Sequence, residues 1–297
     1  KAPAKKGTTD NAKSEKALVP QVELAPRSTA SVAPSIPIPV REVERVPTLD
    51  ERAHTIDARL RSQSADFLSQ YDENVDMSWI YHDTALEGVV YTFTELTTAF
   101  RSNEVTVVDS SVMPIYDAIR RHKAAIAFAR DLAGRKRFTV NVDLLKELHS
   151  LFCPDDGDAK MVKYRREIPQ HRMYFHDYAA PDKIAHRVRV TLDWLADPET
   201  KKNVSPLRIA AKAHYDLARV YPFSNSSGKI ARLIMNIILM RNGLPPAIIH
   251  ATERQRYYET LKAPTAASLV QMLEDTLNNS LLSIQKMLDD RTQRGGD

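Results

Sequence analysis

Cysteine occurs once among the 297 residues of this chain, at position 153. A lone thiol excludes an internal disulfide and fits a reducing compartment. Following Leu151-Phe152, Cys153 reads as a small core residue rather than a nucleophile. No stretch approaches the ~20 consecutive apolar residues that cross a bilayer. The chain therefore reads as soluble and without a membrane partner, in the cytoplasm of its own cell or delivered to that of a host. The nine histidines show no HExxH or comparable metal spacing, and no internal repeat occurs. A net charge of +4 and a pI near 9.0 are mild for this length and point to no nucleic-acid partner.

Aromatic residues are missing before Phe67, while the segment up to Pro47 holds seven of the 17 prolines, along with many Ala, Ser and Lys. Such a composition cannot bury enough apolar surface to offset the entropy of ordering it. Residues 1–48 are expected to form a disordered leader, and they contain no apolar run able to act as a signal-peptide core. The chain starts at Lys1 without a methionine, which leaves room for a segment upstream.

What remains is rich enough to build a core, with 43% hydrophobic residues overall. Helical periodicity runs through roughly 60–68 and 115–132, and Asn141 is a natural cap for a helix over 142–152. Thr92-Phe93-Thr94-Glu95 reads as a capping box opening a helix, so the preceding helix should end near Gly88. Between Phe152 and Pro181 the pattern changes. Asp155-Asp156-Gly157 marks a turn, and the mixed run 161–175, broken by Pro169, suits a short irregular hairpin. Its basic residues Lys160, Lys163, Arg165 and Arg166 form either a solvated face or a set of phosphate contacts.

The chain is organised around Tyr221-Pro222-Phe223-Ser224-Asn225-Ser226-Ser227-Gly228-Lys229-Ile230-Ala231-Arg232. Before it, Leu207, Ala210, Ala211, His214, Leu217 and Ala218 recur at helical spacing behind a Ser205-Pro206 start signal. After it, Ile230, Leu233, Ile234, Ile237 and Ile238 continue the pattern until Gly243-Leu244-Pro245-Pro246. A turn of small residues opening a buried helix aims unpaired N–H groups and the positive end of the helix dipole at one spot, which suits an anion such as phosphate.

This stretch resembles the signature of the Fic (Fido) family, His-Pro-Phe-x-Asp/Glu-Gly-Asn-Gly-Arg-x-x-Arg. Pro222, Phe223, Gly228 and Arg232 match it; Tyr221, Asn225, Ser226, Ser227 and Lys229 do not. Upstream, Lys163-Tyr164-Arg165 is similar to the Tyr-Arg of the family's flap, which positions the target segment. Asp83-Thr84-Ala85-Leu86-Glu87-Gly88 is similar to the inhibitory motif Ser/Thr-x-x-x-Glu-Gly/Asn, departing from it at Asp83. Trp194, Pro206-Leu207, Arg254, Tyr257 and Leu261 extend the likeness over roughly 78–261. The resemblance implies a mainly α fold: a Fic-type helical bundle with a short β-hairpin flap, an N-terminal helical region over 49–110 carrying the inhibitory motif, and a core with a C-terminal helix over 111–297. It also implies ATP and Mg²⁺ as ligands, AMP transfer to a protein hydroxyl as the reaction, and Glu87 competing with the γ-phosphate for Arg232. Read from the residues alone, Glu87 and Arg232 are a helix-joining ion pair. Both readings predict the same contact.

The departures fall on the chemistry. A histidine at position 221 would act as base with a pKa near ~6.5, whereas tyrosine titrates near ~10. Tyr221 reads better as a packing residue than as a base. Asn225 stands where the family holds Mg²⁺ with a carboxylate, and a neutral amide is a poor ligand for a hard dication. Ser226 and Ser227 replace Gly-Asn; their Cβ atoms hinder a phosphate nest while their hydroxyls could donate to an anion. Lys229 keeps a positive charge without the fork of arginine. Gly228 and Arg232 leave the far end of the anion site intact. The expectation is a pseudoenzyme or regulatory protein with a weakened nucleotide or phosphate pocket, acting on an unidentified protein partner, with self-association open. The competing reading is an active transferase of AMP or another phosphate-containing group.

Overall fold

In a computed structural model of the chain, residues 45–101, 110–169 and 178–294 are described, and residues 46–297 fall in one unit of the fold. The expected leader lies, apart from its last few residues, outside the described residues. The described part is built of α-helices: α1 Leu49–Arg61, α2 Ala65–Leu86, α3 Phe93–Arg101, α4 Met113–Gly134, α5 Val142–Phe152, α6 Ile184–Ala196, α7 Pro198–Asn203, α8 Pro206–Val220, α9 Ser227–Arg241, α10 Arg254–Lys262 and α11 Ala267–Arg294.

Helix α9 is the axis of the bundle. Ile230, Ala231, Leu233, Ile234, Met235, Ile237 and Leu239 are all buried, so the helix is covered by apolar packing around most of its circumference, while Lys229, Arg232 and Asn236 form one polar face. It packs chiefly on α8 and α4, with α6 and α11 covering α8 from outside and α1 lying on α11. Each large aliphatic side chain buried this way contributes about 1.5–3 kcal/mol. That burial fixes α8 and α9, and therefore the turn over 221–226 that joins them.

Local signals set most boundaries. Asn141 Oδ1 accepts from Leu144 N–H at 2.8 Å. Thr92 and Glu95 bond reciprocally, Thr92 N–H to Glu95 Oε2 at 2.7 Å and Glu95 N–H to Thr92 Oγ1 at 3.2 Å. Gly243, with φ 77, ends α9 in the left-handed region. Ser205 occupies the N-cap of α8 without a side-chain bond.

Two expectations are corrected. The helix read through 60–68 is two helices, because Ser64 caps a new one by accepting from Phe67 N–H at 3.4 Å. No strand occurs over the described part of the expected hairpin, 161–169. The hydrogen bonds a strand would need go elsewhere: Arg165 N–H donates to Pro222 O at 2.9 Å, and Pro169 has no N–H to offer. The remainder of that segment, 170–175, lies outside the described residues.

Candidate anion site

The turn between α8 and α9 is held from below. Tyr221 ends α8 in the left-handed region, with φ 49 and its N–H on Leu217 O at 2.8 Å. Phe223 is buried, and Ser227 Oγ clamps its backbone by accepting from Phe223 N–H at 2.8 Å and donating to Phe223 O at 2.9 Å. Ser227 is thereby spent on the turn itself. Arg165, also buried, donates from Nε to Tyr221 O at 2.6 Å and from Nη2 to Ala179 O at 2.6 Å and Val220 O at 3.1 Å. Burial presses its pKa down, while the carbonyls of Val220 and Tyr221 at the end of α8 accept its N–H groups. The Tyr164 ring meets Phe223 at 5.8 Å between centroids. Tyr164 and Arg165, expected to position a target segment, thus sit where they brace the turn.

Gly228 opens the first turn of α9, and its bare Cα faces a carboxylate. A Cβ built there would lie 2.7 Å from Glu87 Oε1 and 3.2 Å from Arg232 Nη1. Glu87 caps α2, just before Gly88 with φ 93. Its Oε1 accepts from Arg232 Nη2 at 2.7 Å, and its Oε2 lies 3.4 Å from Lys229 Nζ. A carboxylate at a helix N-terminus beside two cations is an anion in an anion site.

Arg232 is enclosed on its other edges as well. Its Nε bonds Asp83 Oδ1, and its Nη1 donates to Tyr257 OH at 3.2 Å. Tyr257 OH lies 3.0 Å from His214 Nε2, and Asp83 Oδ2 lies 3.0 Å from His122 Nε2. Burial alone would push the Asp83 carboxyl up, but Arg232 and His122 pull it far below the usual carboxylate range. For Lys229, burial lowers the pKa and the Glu87 and Asp83 charges raise it further, so the ammonium is retained. Tyr221 is 6% exposed, and burial together with the Glu87 charge raises its phenol well above ordinary tyrosine. At neutral pH it is a protonated hydroxyl. Asn225 is exposed on the turn, and Ser226 Oγ lies 3.5 Å from Cys153 Sγ.

The structure therefore brings together Glu87, Gly228, Lys229 and Arg232, buries Tyr221 at the end of α8, and leaves Asn225 facing solvent. Asp83 is the functional neighbour that sequence reading passed over. It lies one helical turn before Glu87, so both carboxylates project from one face of α2 toward Arg232. Mg·ATP does not fit this arrangement: Glu87 covers the Gly228 backbone where phosphate would lie, and the acidic position of the turn offers only the amide of Asn225.

The model of the Fic/DOC family matches residues 139–239, which span α5 through most of α9 and the whole turn. The turn therefore lies within the part of the chain that resembles the Fic/DOC family. Among curated relatives, the protein adenylyltransferase fic-1 of Caenorhabditis elegans is 27% identical over 212 residues, covering 71% of this chain and 41% of that protein. The protein adenylyltransferase Fic of Nematostella vectensis is 30% identical over 186 residues, covering 61% of this chain and 42% of its own length. The chain thus spans less than half the length of these relatives. Among solved structures, a Fic-domain-containing signaling protein from Bacteroides thetaiotaomicron superposes with a TM-score of 0.65 at 19% identity, covering 82% of this chain and 95% of that one. Residues 134–508 of C. elegans Fic-1 superpose with a TM-score of 0.62 at 23% identity, covering 83% and 72%. At these identities the superpositions establish the Fic fold. The family match leaves out α2, so Asp83 and Glu87 reach the Fic domain from outside it.

Proposed function

We propose that this chain is a Fic-fold pseudoenzyme that acts through protein contacts and keeps a closed, weakened anion pocket. The observation that carries this reading is the Glu87 carboxylate seated on Gly228 and bonded to Arg232, with no carboxylate at position 225 and a buried phenol at position 221. Transfer of a phosphate-containing group needs a proton acceptor for the nucleophile and charge stabilisation for the leaving group. Tyr221 is held protonated, and Asn225 offers no charge to a metal. The partner is a protein, and any nucleotide binds weakly.

A second reading is favoured by one observation, that Glu87 is not fully buried and so could be displaced by a competing anion. In that reading the chain is an autoinhibited transferase of AMP or another phosphate-containing group onto a protein hydroxyl, as the names of its relatives suggest. Incubation with radiolabelled ATP and Mg²⁺ or Mn²⁺ separates the two. No labelling of the chain or of a lysate is expected, including with Glu87→Gly. Robust labelling that disappears in Tyr221→Phe would replace the pseudoenzyme reading with the transferase.

A further inference from the structure

Where α5 ends, three donor side chains of different chemistry converge. His149 lies in the last turn with its side chain 3% exposed, Cys153 caps the helix, and Asp156 closes the short 3-10 turn Pro154–Asp156. An imidazole nitrogen, a thiol sulfur and a carboxylate oxygen, one from each, all lie within 4.8 Å of one another. His149 Nε2 is 2.8 Å from Asp156 Oδ2, and Ser226 Oγ approaches Cys153 Sγ at 3.5 Å from the other side.

The backbone holds this geometry. Cys153 N–H donates to His149 O at 2.8 Å, Asp156 N–H to Cys153 O at 3.1 Å, and Gly157 N–H to Pro154 O at 3.0 Å. Gly157, with φ 88, then turns the chain away. The His149 ring is fixed against Phe223 at 4.6 Å between centroids, and its hydrogen-bonded nitrogen is the one facing the cluster.

We propose that His149, Cys153 and Asp156 form a binding site for a zinc-class divalent cation, with Ser226 Oγ or water completing four-coordination. Metal–ligand bonds of about 2.0–2.3 Å place the ligands of a tetrahedral site on the order of 3.3–3.8 Å apart. The 2.8 Å pair needs only to open slightly, and the wider separations to close by about an ångström, a change the rotamers of Cys153 and Asp156 can supply. One sulfur, one imidazole and one carboxylate suit a borderline-soft ion; calcium and magnesium take oxygen ligands. A structural His–Asp hydrogen bond would satisfy the imidazole edge but has no use for a thiol beside it. Entry is open, since the Asp156 side chain is half exposed. A bound cation would tie the end of α5 to the turn before α9. The site stands independently of whether the chain transfers any group.

Cobalt(II), titrated into the full chain with Zn²⁺ as competitor, tests this directly. The expected result is a 1:1 complex with a thiolate-to-cobalt charge-transfer band and tetrahedral ligand-field bands, bleached by one equivalent of Zn²⁺. Cys153→Ser should abolish the charge-transfer band, and Asp156→Asn should weaken binding at least tenfold. Cys153 is only half-buried and Asp156 is exposed, so these variants should keep the wild-type circular dichroism. Glu87→Gln should leave the titration unchanged. Absence of a 1:1 cobalt spectrum, or a spectrum that survives Cys153→Ser, overturns the site and leaves His149 and Asp156 as a structural pair.

Discussion

The Asp83 carboxylate bonds Arg232 Nε with both side chains 4% exposed, so this ion pair is sealed beneath the anion site rather than displayed in it. Glu87 sits above it on the same guanidinium and is 19% exposed. The family motif has a neutral hydroxyl where this chain has Asp83. The substitution neutralises Arg232 from below, where no ligand can compete.

The two carboxylates should therefore behave differently when removed. Asp83→Ala leaves the buried Nε edge of Arg232 and the buried His122 imidazole without their carboxylate, and should cost about 3–5 kcal/mol of stability. Glu87→Gln leaves Arg232 with its deeper partner and should cost about 1 kcal/mol or less. Urea unfolding of the two variants measures the difference. Equal losses would mean that Asp83 does not anchor the pair.

Glu87→Gly should expose the first turn of α9, Lys229 and one edge of Arg232 to an anion. With Asp83 still neutralising Arg232, the gain in Mg·ATP binding should fall at the low end for a charge-assisted hydrogen bond, about 1–1.5 kcal/mol, or roughly tenfold. Calorimetric titration reads this directly, with Arg232→Ala as control. A lowered melting temperature with no gain in binding would leave Glu87 as a residue that only joins helices.

Ser226 carries φ 60 at the entry to α9, in the position where the family motif has glycine. A left-handed conformation costs a residue with a Cβ about 1–2 kcal/mol, and glycine returns about 0.4–1 kcal/mol of that as unfolded-chain entropy. Ser226→Gly should therefore stabilise the chain by about 0.5–1 kcal/mol, whereas Ser226→Ala should not. Chemical denaturation of both variants checks the sign. Destabilisation by Ser226→Gly would show that its contact with Cys153 outweighs the backbone strain.

Much of this was legible in the sequence because it is local. The caps at Asn141 and Thr92 and the stop at Gly243 follow from bonds within a few residues of one another. The Glu87–Arg232 contact spans 145 residues and was reached through the motif rather than through spacing. Its companion Asp83 was read only as a departure from the motif, because nothing local marks which distant cation a carboxylate will meet. Arg165 reads in the sequence as part of a basic cluster, on a solvated face or on phosphate, and by resemblance as a flap residue. Only the tertiary fold places the carbonyls of Tyr221, Val220 and Ala179 around its guanidinium. The break after α1 was hidden because Leu60 and Phe67 both turn apolar side chains to the core, so periodicity runs on while the serine cap interrupts the backbone.

The helix that carries both carboxylates also meets the segment after α9 through a histidine pair, which makes its anchorage pH-dependent. His82 stacks on His250 at 4.3 Å between centroids, and its Nδ1 accepts from Ala251 N–H at 3.2 Å. Burial, reinforced by His250, lowers the His82 pKa from 6.5 to about 4. In the unfolded chain the same imidazole binds its proton near ~6.5, so between these values the unfolded state holds more protons than the folded one. The stability His82 contributes is complete above pH ~6.5 and is lost progressively as pH falls toward 4. His214, lowered by burial to about 3, adds a loss of the same sign that continues to lower pH. Melting temperature measured from pH 7.5 to 4 should fall below pH 6.5, and His82→Asn, which can still accept from Ala251 N–H, should flatten that fall. A profile unchanged by His82→Asn would remove His82 as an acid-labile tether of α2 and leave the acid sensitivity to other groups, His214 and the Asp83–Arg232 pair among them.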